Sequence, residues 1–372
     1  MPAAPVPPQS PASIELQARL IEEIEAAGGW LGFERYMELA LYAPGLGYYS
    51  RGDRQFGQLA RDGSDFVTAP ELSPYFARAL ARQLAQVLEA TGTREVFEFG
   101  AGSGALAAGL LQALGDRIDR YTIVDLSGAL QARQRATVAE RAPQSATKLG
   151  FAAEWPTAMR GVVVGNELLD AMPAVLLHFD GAQWLERGVA RSGSGFAWAD
   201  RPTTLRPPED TAFLPGTTTE LPRQAAAFMR TLAERLQLGA AFFLDYGFPQ
   251  AEYYHPQRLG GTLACHRAHL VDFDPLQDPG DKDITTHVDF TAAALAAQDA
   301  GLDVLGYTTQ ARFLMNCGLL GDLQDASWTE KAAAQKLLTE HEMGELFKVL
   351  AVGRGVDVEP LGFLAGDRMH TL

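Results

Sequence analysis

The stretch Glu95-Val-Phe-Glu-Phe-Gly-Ala-Gly-Ser-Gly-Ala-Leu106 decides how the rest of the chain is read. Charged and apolar residues interleave from Arg94 to Phe99, as in a strand. The run Ala105-Leu-Ala-Ala-Gly-Leu-Leu-Gln-Ala-Leu114 suits a helix. Between them lies a tight glycine turn, so the stretch reads as strand, turn and helix.

Such a turn lets backbone approach a ligand closely and aims the first helical N–H groups at it. Dinucleotides and S-adenosylmethionine both suit this arrangement. Gly100-Ala-Gly102-Ser-Gly104-Ala105 satisfies the nicotinamide pattern G-x-G-x-x-G/A, with Asp125 at the interval of a ribose carboxylate. The same residues also read as an acid, one residue, then G-x-G-x-G. On that reading Glu98, at the strand tip, meets the cationic amino-acid end of S-adenosylmethionine, whereas it would repel a pyrophosphate.

The 372 residues are enough for one large α/β domain with additions, or for two domains. The 47% hydrophobic and 21% charged content is that of an ordinary soluble protein, and no apolar run is long enough to span a bilayer. Acidic residues outnumber basic ones 46 to 31, a net charge of −15. Nucleic-acid binding rests on Lys and Arg neutralising phosphates, so this balance argues against DNA or RNA and favours a cationic substrate. Two cysteines, Cys265 and Cys317, are too few for a disulfide scaffold and point to a reducing compartment. The Pro- and Ala-rich start has neither Arg nor a hydrophobic signal core, so it reads as a loose tail, and the cytoplasm is expected.

Helices are expected over Ser13–Ala27, Phe33–Leu41 and Ser73–Ala90, with a turn at Tyr42-Ala-Pro-Gly-Leu-Gly-Tyr-Tyr49 and a polar stretch running on to Gly63. From Arg94, strands at 95–99, 121–125, 148–152, 161–166 and 240–246 alternate with helices at 104–114, 128–141 and 222–237. Asp303–Thr309 and Phe347–Gly353 make the last strand pair. The expected fold is therefore α/β, a Rossmann-like class I methyltransferase sheet of seven mostly parallel strands with one antiparallel strand in the final hairpin. Residues 1–90 form the tail and helical segment. Residues 91–372 form the S-adenosylmethionine-binding domain, with insertions at about 174–221 and 249–287. In the first insertion, Val175–Phe179 and Gln183–Arg187 read as a hairpin about Asp180-Gly181. The second is too long for an idle loop. Both follow strand ends and are the natural substrate-selecting parts.

Several groups can carry chemistry. Asp125, ending its strand, can accept from two ribose hydroxyls or serve as a plain helix cap. Gly165-Asn-Glu-Leu-Leu-Asp-Ala-Met-Pro173 is the densest polar cluster at a strand end. Glu167 and Asp170, three apart, fall on one side of a helical turn and can hold a guanidinium in its planar fork. Asn166 and Asp170 could equally be helix caps. Asp245, in Phe242-Phe-Leu-Asp-Tyr-Gly247, can face the same cleft or be a solvated turn acid. Thr68 and Ser73 flank Pro70-Glu71 at a helix start, where donors can meet the cofactor carboxylate, and Thr68 and Pro70 are counted among the cofactor-binding residues. Cys265-His-Arg-Ala-His269, with His287, matches no zinc pattern, so no metal is expected. His266, His269 and His287 can instead position substrate or order the loop. Cys265 reads as a small semi-buried residue.

These stretches together resemble the MidA family of class I methyltransferases, whose mitochondrial members assist assembly of respiratory complex I. The resemblance rests on Leu46-Gly-Tyr-Tyr49, Asp65-Phe-Val-Thr-Ala-Pro-Glu-Leu-Ser73, Glu98-Phe-Gly-Ala-Gly-Ser-Gly104, Asn166-Glu-Leu-Leu-Asp-Ala-Met-Pro173 and Phe243-Leu-Asp-Tyr-Gly247. It continues through Gly261-Thr-Leu-Ala-Cys-His-Arg-Ala-His269, Asp283-Ile-Thr-Thr-His-Val-Asp-Phe290, Thr309-Gln-Ala-Arg-Phe-Leu314 and Met343-Gly-Glu-Leu-Phe-Lys-Val-Leu350. The resemblance implies arginine N-methylation of a protein, such as a respiratory-complex subunit, with S-adenosylmethionine as donor. Cofactor binding then falls to Glu98, Gly100, Gly102, Gly104 and Asp125, and the acceptor site to Asn166, Glu167 and Asp170. Two departures stand out: Ser103 stands where the family often carries Arg or Lys, and Gly181 to Asp210 has no counterpart among these motifs. Two other functions compete: an assembly chaperone that binds S-adenosylmethionine with little catalysis, and an NAD(P)-dependent oxidoreductase.

Overall fold

The computed structural model describes residues 8–51, 68–125, 127–209 and 212–372. Asp65, Phe66 and Val67 of the 65–73 stretch lie outside the described residues, as do residues 1–7, Leu126 and most of the polar stretch ending at Gly63. The chain separates into two compact units.

The larger unit comprises Val67–Leu169, Ala226–Pro249 and Phe290–Leu372. Its sheet contains β1 (Glu95–Phe99), β2 (Arg120–Val124), β3 (Leu149–Ala152), β4 (Met159–Asn166), β5 (Leu236–Phe248), β6 (Asp303–Thr309) and β7 (Phe347–Arg354). The spatial order is β6-β7-β5-β4-β1-β2-β3. Strands β1 to β5 run parallel, and β7 lies antiparallel between β5 and β6. These seven strands, of the eight in the sheet, form the expected α/β arrangement with its antiparallel final strand. The chain winds outward from β1 to β3, then returns to place β4 on the other side of β1. The crevice at the carboxyl ends of β1 and β4 is thus the switch point where such sheets bind ligands.

Central strands buried on both faces need apolar runs, which Val162, Val163 and Val164 of β4 and Ala240 to Leu244 of β5 supply, each fully buried. Backbones approach closely here: a Cβ added at Gly239, whose φ is +125°, would stand 1.7 Å from the Gly161 carbonyl oxygen. Strand β5 begins at Leu236, four residues before the expected start, because the preceding helix stops at Arg235 and a bulge between Leu236 and Leu238 lets pairing start at once. Helices α1 (Ala69–Leu72), α2 (Pro74–Thr91), α3 (Ala105–Leu114) and α4 (Gly128–Arg141) precede or connect the first strands. Ser73 caps α2 by accepting from the Tyr75 N–H, and Gly92, at φ +62°, ends it in the left-handed conformation.

The smaller unit comprises the described residues of Met1–Phe66 with Asp170–Ala225 and Gln250–Asp289. The expected hairpin forms, with Val175–Phe179 antiparallel to Trp184–Ser192 and Phe179 opposite Trp184. The Asp180 carboxylate closes the turn by accepting from the Ala182 and Gln183 N–H groups. Gly195–Pro202 adds a further strand that its flanking glycines concealed from periodicity. Leu16, Leu20 and Ile24 of the first helix and Phe33, Tyr36 and Met37 of the second make a buried core in this unit. The second insertion folds into three short strands, Ala264–Arg267, Leu270–Asp272 and Asp283–Thr285.

Candidate cofactor and acceptor site

In the glycine loop Gly100, Gly102 and Gly104 take φ values of +67°, +48° and +82°. L side chains avoid this region, so the loop needs glycine for conformation as well as for ligand access. Packing imposes a second demand at both ends. A Cβ at Gly104 would lie 2.9 Å from the Gln134 Cα on α4, and one at Gly100 would lie 3.0 Å from the Leu168 side chain beyond β4. The loop is therefore closed down on both its neighbours, with the first N–H groups of α3 at its end.

Glu98 is 2% exposed, and its carboxylate accepts from the Tyr121 hydroxyl on β2 at 2.6 Å. Burial pushes this carboxyl up to about 7; the Tyr121 bond opposes the rise and the nearby Asp125 charge adds to it. Asp125 directly follows β2. One of its oxygens accepts from the Ser127 N–H at 2.8 Å, and the other from the Gln134 side-chain amide at 2.8 Å. Gln134 also donates to the Gly102 carbonyl at 3.2 Å, tying the acid to the glycine loop. Burial raises the Asp125 carboxyl above its ordinary range, while both bonds pull it down. The cap of α4 is Ser127, which accepts from the Leu130 N–H, so Asp125 is not itself the helix cap.

At the end of β4 the helical turn assumed for Glu167 and Asp170 does not form. The backbone instead breaks into a bend, with Glu167 at φ +51° and its N–H bonded to the Leu244 carbonyl on β5. A left-handed glutamate is unfavourable, and such strain persists only where surrounding contacts enforce it. Asp245 does so. It is 1% exposed, with one oxygen accepting from the Leu168 and Leu169 N–H groups at 3.1 and 2.9 Å and the other from the Tyr246 N–H at 2.9 Å. Asp245 is thus neither a solvated turn acid nor a cleft-facing group but an internal brace. Asn166 donates its amide to the Glu167 carboxylate at 3.0 Å, and its own carbonyl oxygen is buried with no partner among the described residues.

Asp170 belongs to the smaller unit and is 4% exposed. Its backbone carbonyl accepts from the Thr286 N–H at 2.9 Å. The Tyr49 hydroxyl donates to Asp283 at 2.9 Å and the Tyr42 hydroxyl to the Ala171 carbonyl at 2.9 Å, with the two rings stacked 5.7 Å apart. Burial first, then the Asp283 and Asp170 charges, raises both phenols well above their ordinary range. Tyr42 and Tyr49 read in sequence as turn punctuation, because nothing local connects Tyr49 to Asp283, 234 positions away.

Thr68 stands at the N-cap of the four-residue α1 without a side-chain cap bond, and Pro70 follows within that helix. His266 lies on the Ala264–Arg267 strand, and Ala268 and His269, both with positive φ, form the tight turn after it. No group of three or more His, Cys, Asp or Glu among the described residues could hold a metal ion. Cys265 and Cys317 are buried, and burial raises both thiols, that of Cys317 to about 12. Among the described residues, no helix is long and apolar enough to cross a membrane.

A mostly parallel sheet whose seven-strand path carries one antiparallel strand, a glycine loop at its switch point and an acid after the second strand define a class I S-adenosylmethionine-dependent methyltransferase. The residues fit that group: backbone donors in the loop, carboxylates at Glu98 and Asp125, and left-handed glycines that carry no side chain into the turn. Comparison with known proteins agrees. The family model described as "Putative S-adenosyl-L-methionine-dependent methyltransferase" matches residues 79–308. A crystal structure of a superfamily member from Burkholderia thailandensis bound to S-adenosyl-homocysteine is 50% identical, with TM-score 0.95 over 99% of this chain and 100% of that one. A native crystal structure of a Burkholderia thailandensis protein is 48% identical, with TM-score 0.91 over the same shares. The protein arginine methyltransferase NDUFAF7, mitochondrial, of Homo sapiens is 27% identical over 393 residues, 93% of this chain and 85% of that protein. Its Drosophila melanogaster homolog is 28% identical over 366 residues, 86% and 81%. The chain belongs to this family of S-adenosyl-L-methionine-dependent methyltransferases, the MidA family that its motifs resemble. The nicotinamide alternative falls away.

Proposed function

We propose that this methyltransferase transfers its methyl group to a guanidinium nitrogen of an arginine in a protein substrate. The observation that carries the reading is the end of β4. There a buried Asn166 carbonyl oxygen without a partner adjoins the Glu167 carboxylate, on the same compact unit as the glycine loop. A guanidinium has five N–H donors and no acceptor, so it suits a site that offers only oxygens. The names of the relatives and the acidic balance of −15 support the same class of acceptor.

S-adenosylmethionine, when bound, supplies an electrophilic methyl on a sulfonium. Asn166 and Glu167 orient the guanidinium and favour the resonance form that localises a lone pair on the attacking nitrogen. The nitrogen–carbon bond forms as the carbon–sulfur bond breaks, its electron pair goes to sulfur, and the nitrogen gives up a proton to Glu167. Asp170, next in the sequence motif, is assigned to acceptor binding as well. Glu98, Gly100, Gly102, Gly104 and Asp125 hold the donor, with Thr68 and Pro70 as further cofactor contacts. The acceptor protein is a respiratory-complex subunit or another protein with an accessible arginine, and the two buried cysteines suit a reducing cytoplasm.

The test is arginine-methylation mass spectrometry of the proteome with and without the gene, followed by transfer assays with Glu167→Gln and Asp170→Asn. Loss of transfer with S-adenosylhomocysteine binding intact supports the reading. Transfer at the wild-type rate in either variant removes that residue from the mechanism. Tight capture of a partner carrying no added mass of about 14 Da per methyl, a physical unit fixed by CH₂, favours an assembly chaperone instead.

A further inference from the structure

The larger unit holds a carboxylate that the cofactor and acceptor assignments do not use. Glu71, on α1, is 8% exposed. One oxygen accepts from the Ser103 hydroxyl at 2.5 Å, and the other accepts from both terminal nitrogens of Arg141 at 3.2 and 3.3 Å. Ser103, itself 7% exposed, lies between Gly102 and Gly104, and its oxygen accepts from the Ala105 N–H at 3.3 Å. One carboxylate therefore joins α1, the glycine loop and the last residue of α4.

Physical chemistry gives this arrangement a direction. A serine hydroxyl has one proton and rotates to suit its partners. Donating it to a carboxylate makes a strong, charge-assisted bond and leaves the lone pairs facing the start of α3. The left-handed residues on either side would otherwise leave the loop free to sample other conformations, since glycine loses the most freedom on ordering. Arg141 neutralises the far oxygen, so that the buried charge is paired rather than left bare. Glu71 precedes residue 79, where the family match begins, and is 32 residues from Ser103.

We infer that Glu71 is a positioning residue for the methyl donor: acting through Ser103, it holds the glycine loop in the conformation that receives S-adenosylmethionine. Its role is exerted through the Ser103 hydroxyl and not on the reacting groups. The inference rests on S-adenosylmethionine dependence and is independent of the acceptor, because S-adenosylhomocysteine binding needs no acceptor.

The test is calorimetric titration of the full chain with S-adenosylhomocysteine for wild type, Glu71→Ala, Glu71→Gln, Ser103→Ala and the Glu71→Ala/Ser103→Ala double variant. Glu71→Ala and Ser103→Ala each weaken binding about tenfold, and the double variant is no weaker than the single ones, because both remove the same link. Glu71→Gln, which keeps an acceptor for Ser103, recovers most of the affinity. With an acceptor in hand, the KM for S-adenosylmethionine rises in these variants while kcat at saturation stays within about twofold. Effects of the two substitutions that simply add overturn the inference. So does wild-type affinity in Ser103→Ala, which decides the matter even if Glu71→Ala fails to fold.

Discussion

The Tyr121 hydroxyl donates to the Glu98 carboxylate at 2.6 Å, so the acid preceding the glycine loop is buried and answered by one neutral donor. Burial holds its carboxyl near 7, against an ordinary value of 4.5. Between those values the folded state keeps a proton that the unfolded chain has lost. Stability from this group is complete below about pH 4.5 and declines as pH rises through about 7. Glu98→Gln, neutral throughout, removes that decline. The melting temperature of Glu98→Gln relative to wild type therefore rises from pH 5 to pH 8, measured without cofactor by calorimetry. A difference independent of pH contradicts the assignment. The same ionisation makes S-adenosylhomocysteine, with its cationic amino group, bind more tightly at pH 8 than at pH 6.

Asp125 carries a binding prediction. Hydrogen bonds to a charged acceptor contribute about 1.5–3 kcal/mol, so Asp125→Ala weakens S-adenosylhomocysteine roughly tenfold to a hundredfold. Loss of the Gln134 tether to Asp125 and Gly102 contributes to the effect. Titration calorimetry reads the change, and an affinity within twofold of wild type would remove Asp125 from the cofactor site.

Replacing the brace at Asp245 tests how the acceptor end is held. Asp245→Ala strands the Leu168, Leu169 and Tyr246 N–H groups, at about 1–3 kcal/mol for each one left buried without an acceptor. We expect about 3 kcal/mol or more off the unfolding free energy in a denaturant titration, because water relieves part of the sum. Asp245→Asn keeps one acceptor oxygen and costs less. Equal losses for the two variants would mean that the backbone bonds are not what Asp245 contributes.

Gly104 is a packing prediction. With φ at +82° and a Cβ 2.9 Å from the Gln134 backbone, Gly104→Ala costs about 1–2 kcal/mol from strain, plus the displacement of α4. Both the melting temperature and the affinity for S-adenosylhomocysteine fall. By contrast Gly128→Ala, at the first residue of α4 with nothing within 4 Å of its added Cβ, leaves both nearly unchanged.

The strand, glycine loop and helix from Glu95 to Leu114 were legible in the sequence because each is local. The short apolar-rich run of Val96, Phe97 and Phe99, the conformational demand of the glycines and the apolar run of α3 act over a few residues. The same holds for Ser73 capping α2, whereas the antiparallel last strand followed from the sheet type that the order of strands suggests and not from any local signal. The helical turn at Glu167 failed for a non-local reason: the Leu244 carbonyl and the Asp245 carboxylate on β5 accept from the Glu167, Leu168 and Leu169 N–H groups and fix a path with Glu167 at φ +51°, outside the helical region.

By itself, then, the sequence determined the elements, the sheet class and the residue types at the strand ends, because hydrophobic period and backbone preference act between near neighbours. Only the tertiary structure decided which groups those ends would meet. Tyr121 on Glu98, Gln134 on Asp125, Asp245 under Glu167 and Glu71 on Ser103 are pairings between segments that fold apart in the chain and become neighbours when the sheet closes. Each supplies a particular donor to a buried acceptor whose desolvation would otherwise go uncompensated. That depends on distance in space, which residue order leaves open.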